Sequence, residues 1–185
     1  MSFRSASVLR GLLILSVAVA TARGADDPAG WTSARWGMTI DQVRAAVPAA
    51  ELLTGPTDER TIFCPDKDHP LTSPLGVLHL KLAGIEWSVF FLFRDAKLVQ
   101  VSLKPAEKSE VFEQIYANVR DLLFEKYGRP FERETQDKID HSTERVSLWS
   151  FPLTTIELNY VDFRSLIPME ILYLTYRQKT AQEGI

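Results

Sequence analysis

The densest group of side chains able to do chemistry is Cys64-Pro65-Asp66-Lys67-Asp68-His69. Thiolate, carboxylate and imidazole all ligate zinc, but a structural zinc site takes four such ligands in paired short spacings. Here one group stands without a second, and His79 and His141 would complete it only if the fold carried them there. Cys64 and His69 could also act as nucleophile and base. Activation then needs a third group to orient the base, and nothing local supplies one. The expectation is a solvated, proline-stiffened loop, with no metal and no cofactor. Cys64, beside Ile62 and Phe63, reads as a small buried hydrophobe.

A second concentration, Glu132, Glu134, Asp137 and Asp140 beside His141, offers carboxylates for acid–base work. Arg133, Lys138 and Arg145 are interspersed with them, which instead describes a hydrated, partly self-neutralising loop. No glycine-rich phosphate loop, G-x-S-x-G elbow or H-E-x-x-H helix occurs in the chain.

Aromatic residues are the more informative set. Trp87, Phe90, Phe91, Phe93, Trp149, Phe151, Tyr160, Tyr173 and Tyr176 all fall in segments that alternate like strands. Neighbours such as Phe90 and Phe91 must point to opposite faces of a sheet. If helices cover one face only, part of this set is left on the other, and exposed aromatic patches mark protein contacts or ligand grooves. Trp87, Phe91, Trp149, Tyr160 and Tyr173 are the candidate binding residues on that sheet face.

The elements that position them follow from spacing. Thr39 and Gln42 form a capping box, Met38 is placed to staple onto Val43, and Ile40, Val43, Ala46 and Val47 share a helical face that Pro48 closes. Residues 49–74, with Pro56, Pro65, Pro70 and Pro74, read as an irregular connection, with a brief strand near Thr61–Cys64. A meander follows. Its first strand sets Leu78, Leu80 and Leu82 against Val77, His79 and Lys81, and Ala83-Gly84 turns into a second carrying Trp87, Val89, Phe91 and Phe93. Asp95-Ala96 turns into a third with Val99, Val101 and Leu103.

Residues 105–127 form the longest expected helix, with Val111, Ile115, Val119 and Leu122 as its stripe and Gly128 and Pro130 as its stop. The segment Glu132–His141 reads as a charged loop. Strands follow around Val146–Phe151, around Ile156, Leu158 and Tyr160, and over Met169–Arg177. The order is helix, three strands, helix, three strands. That predicts an α+β fold, an antiparallel sheet with helices on one face, built as two α-β-β-β pseudo-repeats over residues 39–104 and 105–177.

Trp36-Gly37-Met38-Thr39-Ile40-Asp41-Gln42-Val43 resembles the W-G-M-[ST]-x-[DE]-x-V start of many small exported bacterial domains, where it opens a short helix before a meander. The Phe93–Leu98 hairpin and the Tyr127-Gly128-Arg129-Pro130 helix end are similar to the same group. At fold level the group resembles the small outer-membrane assembly lipoproteins and the secreted inhibitor of β-lactamases. These motifs are capping and turn devices, so the resemblance implies a fold and an exported context and carries no functional residue across. The chain departs from the lipoproteins in having no cysteine at the leader's end.

That leader is residues 1–25: Arg4 and Arg10 at the start, an apolar run over Leu12–Ala22, and small residues about a cleavage point near 22–25. It reads as a secretory signal peptide. Losing Arg4, Arg10 and Arg23 takes the formal charge from −3 to −6, which argues against nucleic acid and against electrostatic adhesion to an anionic membrane. Hydrophobic residues at 45% and charged ones at 24% describe an ordinary globular domain. Cys64 is the only cysteine, so no internal disulfide can form, and the core must carry stability unaided.

The expected organisation is a short polar linker over 26–30, one domain over 31–178 and a frayed tail over 179–185. The expected product is a periplasmic or secreted protein with no membrane anchor after cleavage. Its expected role is a non-catalytic module binding a protein or envelope component. Two other readings are a periplasmic hydrolase using carboxylates or the Cys64–His69 loop, and a carrier of a small apolar ligand.

Overall fold

The structure, a computed structural model, describes residues 25–53, 71–106, 111–137, 141–163 and 169–179. Residues 1–24 of the leader, the strand expected near Thr61–Cys64, the Cys64–His69 cluster and Asp140 lie outside these. The fold is α+β, mostly antiparallel sheet with two helices.

A two-residue hairpin, β1 (Gly30–Trp31) and β2 (Ala34–Arg35), opens the described chain. Only glycine fits position 30: φ is 152°, and a Cβ there would lie 2.0 Å from the Ala34 carbonyl oxygen. Helix α1 (Ile40–Ala46) then begins at Thr39 with the expected capping box, and Val43 is its buried residue. Strand β3 (Glu51–Leu52) pairs with Gly76 and Leu75 of β4 (Thr72–Leu82).

The first meander strand is longer than its leucine pattern suggests. It reaches back through Pro74, which sits where the register slips between Thr72 and Leu75, a place where a missing N–H is tolerated. A second slip, between Val77 and Leu80, includes His79 at φ 65°. Val77 and Leu80 therefore both meet the core, while Leu78 is left 44% exposed. The expected Leu78/80/82 face is broken at its first member by this bulge.

Strand β5 (Ile85–Arg94) presents Trp87, Val89, Phe91 and Phe93 to the core as their alternation predicts. Turns Ala83-Gly84 and Asp95-Ala96 have positive φ at both central residues, the geometry that matches hairpin twist. In β6 (Lys97–Pro105) an irregularity between Leu92 and Phe93 of β5 skips Val99, so Leu98 takes the core position expected of Val99. Pro105 ends this strand opposite Trp87 and belongs to no helix.

Helix α2 spans Phe112–Tyr127 and ends at Gly128, φ 81°, whose N–H donates to the Phe124 carbonyl. It buries Phe112, Ile115, Tyr116, Val119 and Leu123. Val111 and Leu122, expected in the stripe, are 54% and 46% exposed. The real stripe centres on the other side of Ile115, because Phe112 and Tyr116 are the larger apolar load.

The charged segment after α2 is a strand rather than a loop: β7 (Phe131–Gln136) pairs along its length with β8 (Thr143–Ser150). All six of its residues are exposed, so no apolar alternation marked it. Strands β9 (Thr154–Asp162) and β10 (Glu170–Gln178) complete an eight-stranded sheet in the order β3-β4-β5-β6-β10-β9-β8-β7. Only β6 and β10 are neighbours out of sequence.

The segment read as an unpacked linker is docked. Asp27 accepts from the Ala29 N–H at 2.8 Å, from the Thr154 hydroxyl at 2.7 Å and from the Leu153 N–H. Trp36 Nε1 donates to the same Thr154 oxygen at 2.9 Å.

Candidate functional site

Helix α2 packs on β9 and β10, and its flank overhangs the last two strands of the sheet. Glu113, Ala117 and Arg120, spaced four and three apart, line that flank. From the sheet, Glu132 and Glu134 of β7 face the same space, since their partners Ser147 and Arg145 lie on the helix side. Together these residues bound an open cleft of about 700 Å3 at one end of the sheet.

The cleft has a defined floor. The Tyr116 hydroxyl and Ser147 Oγ are 2.8 Å apart and buried. Tyr160, 2% exposed, lies beneath, its ring 6.0 Å from that of Tyr116, and its hydroxyl donates to Glu170 at 2.6 Å. The Arg145 guanidinium sits 6.0 Å above the Tyr160 ring. Arg145 donates to Glu134 at 2.9 Å and to Glu113 at 2.5 Å, which ties helix, edge strand and β8 into one network. Arg120 holds Asp121 at 2.9 Å and lies 3.8 Å from Glu132.

Charge is layered in this network. Arg120 and Arg145 are 36% and 33% exposed, whereas Glu113, Glu132, Glu134 and Asp121 are 54–68% exposed. The guanidiniums lie underneath and the carboxylates form the rim. The rim is acidic.

The shifted groups are proton holders. Hydrogen bonds to Glu113 and Glu134 raise the Arg145 pKa, and the bond to Asp121 raises that of Arg120. Burial raises that of Tyr116 against the opposing Ser147 bond. All three keep their protons at neutral pH. Ser147, fully buried and bonded to a tyrosine rather than a base, has no route to attack a substrate. The open, ion-paired lining is unlike the enclosed apolar cavity a carrier needs.

The candidate aromatics take other places. Trp87, Phe91, Trp149 and Tyr160 are 0–3% exposed in the core and out of a partner's reach. Trp87 Nε1 donates to the Leu82 carbonyl at 3.0 Å and Trp149 Nε1 to that of Gly128 at 2.7 Å. Their parity matched the face that the core occupies. Tyr173 alone points the other way, half-buried, with its pKa pushed up to about 12 by burial and by Glu157 and Glu144. The centre of that opposite face is a buried polar ladder: Gln100 Nε2 donates to Ser102 at 2.9 Å, and Ser102 lies 3.5 Å from Thr175.

His79 of β4 pairs with Glu86 of β5 at 2.9 Å, while His141 lies between β7 and β8. Strands β4 and β7 are six intervals apart in the sheet, about 30 Å at the usual strand spacing. These histidines do not meet. Among the described residues no group of three or more His, Cys, Asp or Glu is placed to hold a metal ion, and no helix is long and apolar enough to cross a membrane.

Sequence reasoning grouped Glu132, Glu134 and Arg145 in one self-neutralising charged segment but did not join Glu113, Tyr116 and Arg120 to them. The available signal was the three-four spacing along α2, which sets Glu113, Ala117 and Arg120 on one flank. No family model matches the chain, and no curated protein or solved structure matches it either.

Proposed function

We propose that this chain is an exported, non-catalytic module that binds a protein of the cell envelope, and that the contact is made at the α2–β7 edge. One observation carries the reading: among the described residues the sheet ends in a six-residue strand that pairs on one side only, beside an open cleft lined by Arg120 and Arg145 and rimmed by the carboxylates paired with them. An unpaired strand edge is a template for another chain. The signal-peptide pattern of residues 1–25 supports an encounter in the periplasm or outside the cell.

The fold, on this proposal, consists of two units of one helix and four strands, α1 with β3–β6 and α2 with β7–β10, facing each other across β6 and β10. The strand order β3-β4-β5-β6 followed by β10-β9-β8-β7 supports it. Both helices would lie on one face: Val43 of α1 and Val119 of α2 share a core with Trp87, Leu103, Ile156 and Leu174. Each unit would then contribute one sheet edge. The edge strand of the first, β3, is two residues long and pairs only with Leu75 and Gly76 of β4, whereas the edge strand of the second, β7, is six residues long and exposed throughout. The longer edge strand, β7, lies beside the cleft, which favours it as the site for a partner.

A photo-crosslinker in place of Gln114, on the cleft flank, tests the reading in the native envelope. The expected result is one dominant adduct with a single polypeptide, absent when the probe replaces Arg44 on α1. Equal labelling from both positions, or none from Gln114, would overturn it.

A further inference from the structure

We infer that the ligand of this edge is an extended peptide segment with basic residues at alternate positions, added to β7 as a ninth strand. The inference rests on the binding-module reading above and names its partner's chemistry.

Three observations select this occupant. First, β7 is long enough: six residues of strand span about 20 Å, the footprint of a short extended peptide. All six are exposed, and among the described residues their pairing to β8 uses one edge only, so alternate N–H and C=O groups face outward. Second, side chains directly opposite on neighbouring strands lie about 5 Å apart. Residues of an added strand opposite Glu132 and Glu134 would therefore meet the half-exposed carboxylates of the rim, and Lys or Arg there is the complementary choice. The intervening residue would meet Arg133, which already bonds Glu144 at 3.4 Å, and an acidic or polar side chain suits it.

Third, the same pattern disfavours a second copy of this chain. A two-fold axis normal to the sheet brings together residues of equal parity on the two β7 strands. Centring the axis on Arg133 sets Glu132 opposite Glu134 twice and Arg133 opposite itself. Centring it on Glu132 or on Glu134 sets that glutamate against its own copy. Like charges directly opposite are destabilising. In each register that centres the contact on the Glu132–Glu134 segment the edge repels its own copy, whereas it accepts a basic strand.

The test uses the mature protein and a blocked peptide alternating lysine with threonine, with binding read by fluorescence anisotropy and by amide exchange. Saturable binding is expected, with at least ten-fold slower exchange at alternate β7 amides. A Glu132→Gln, Glu134→Gln variant should weaken binding at least ten-fold. Two further peptides carry N-methyl groups on odd or on even residues, which block hydrogen bonding along one edge and leave charge intact. One of the two should lose binding and the other keep it.

Equal binding of both methylated peptides would mean charge adhesion without strand addition and would overturn the inference. So would absence of binding, or protection of β7 through dimerisation alone. The Gln114 crosslink is independent of strand pairing: an adduct there with indifferent methylated peptides leaves the binding module standing and removes the ninth strand.

Discussion

Tyr116 and Ser147 show how one pair of hydroxyls can decide whether the cleft has a rigid floor. Both are buried, 2.8 Å apart, and join a helix to a strand 31 residues away. Tyr116→Phe leaves the Ser147 hydroxyl buried without this partner, a loss worth about 1–3 kcal/mol. Ser147→Ala leaves the tyrosine in the same position. The double variant should cost less than the two single losses together, because the second change removes a group already stranded. Urea unfolding of the four proteins checks this; strict additivity would mean that the two hydroxyls do not act on each other.

At the scale of elements, the N-terminal segment is a clasp on the β8–β9 turn. Asp27 is held by Thr154, Leu153 and Ala29. Burial pushes its pKa up, but these three hydrogen bonds and the nearby Lys179 outweigh it, and the folded value lies below the ordinary one. A carboxyl depressed on folding adds stability above its unfolded pKa, about 3.9, and loses it as pH falls through the folded value. The clasp should therefore release below about pH 4. Asp27→Asn replaces one of the two accepting oxygens by an N–H donor, in either orientation of the amide, and should cost about 1 kcal/mol at neutral pH, discounted for partial exposure. Measured against pH, the gap between the two proteins should narrow on the acid side; a constant gap would show that the charge on Asp27 is immaterial.

How legible the elements were follows from what each leaves in sequence. The capping box at Thr39 and the alternation of Trp87, Val89, Phe91 and Phe93 are local and half-buried, and both are read directly. Strand β7 hid because nothing in it is buried. The bulges at His79 and Val99 hid because a one-residue slip reverses a face without changing composition. Trp87 and Phe91 were legible as strand residues but not as core, because parity alone does not say which face of a sheet is buried. The cleft needed α2, β7 and β8 brought together, and pairing at that range leaves no local mark.

For the whole molecule, the decisive feature is the junction of β6 with β10. Strands β3 to β6 form by successive local pairings, and β7 to β10 do the same. The junction instead joins Gln100–Leu103 to Leu174–Arg177, and the Ser102–Thr175 contact across it closes 73 residues. Yet one core cluster runs continuously from Val43 and Trp87 to Ile156 and Tyr176. A shared core makes the two halves a single cooperative unit, with the junction as its most costly loop closure.

Leu103, 1% exposed and opposite Leu174, is the residue to probe. Leu103→Ala should lower stability by about 3 kcal/mol through lost burial and a residual cavity. The transitions seen by tryptophan fluorescence and by far-ultraviolet circular dichroism should still coincide. Three tryptophans, Trp31, Trp36 and Trp87, lie before α2, and only Trp149 lies after it. If the halves were separable, weakening the junction would pull the two signals apart, since fluorescence would follow mainly the first half. Coincidence in the weakened variant would therefore identify the sheet as one folding unit. The β7 edge would then be presented to the proposed peptide by a scaffold that is either wholly formed or not formed at all.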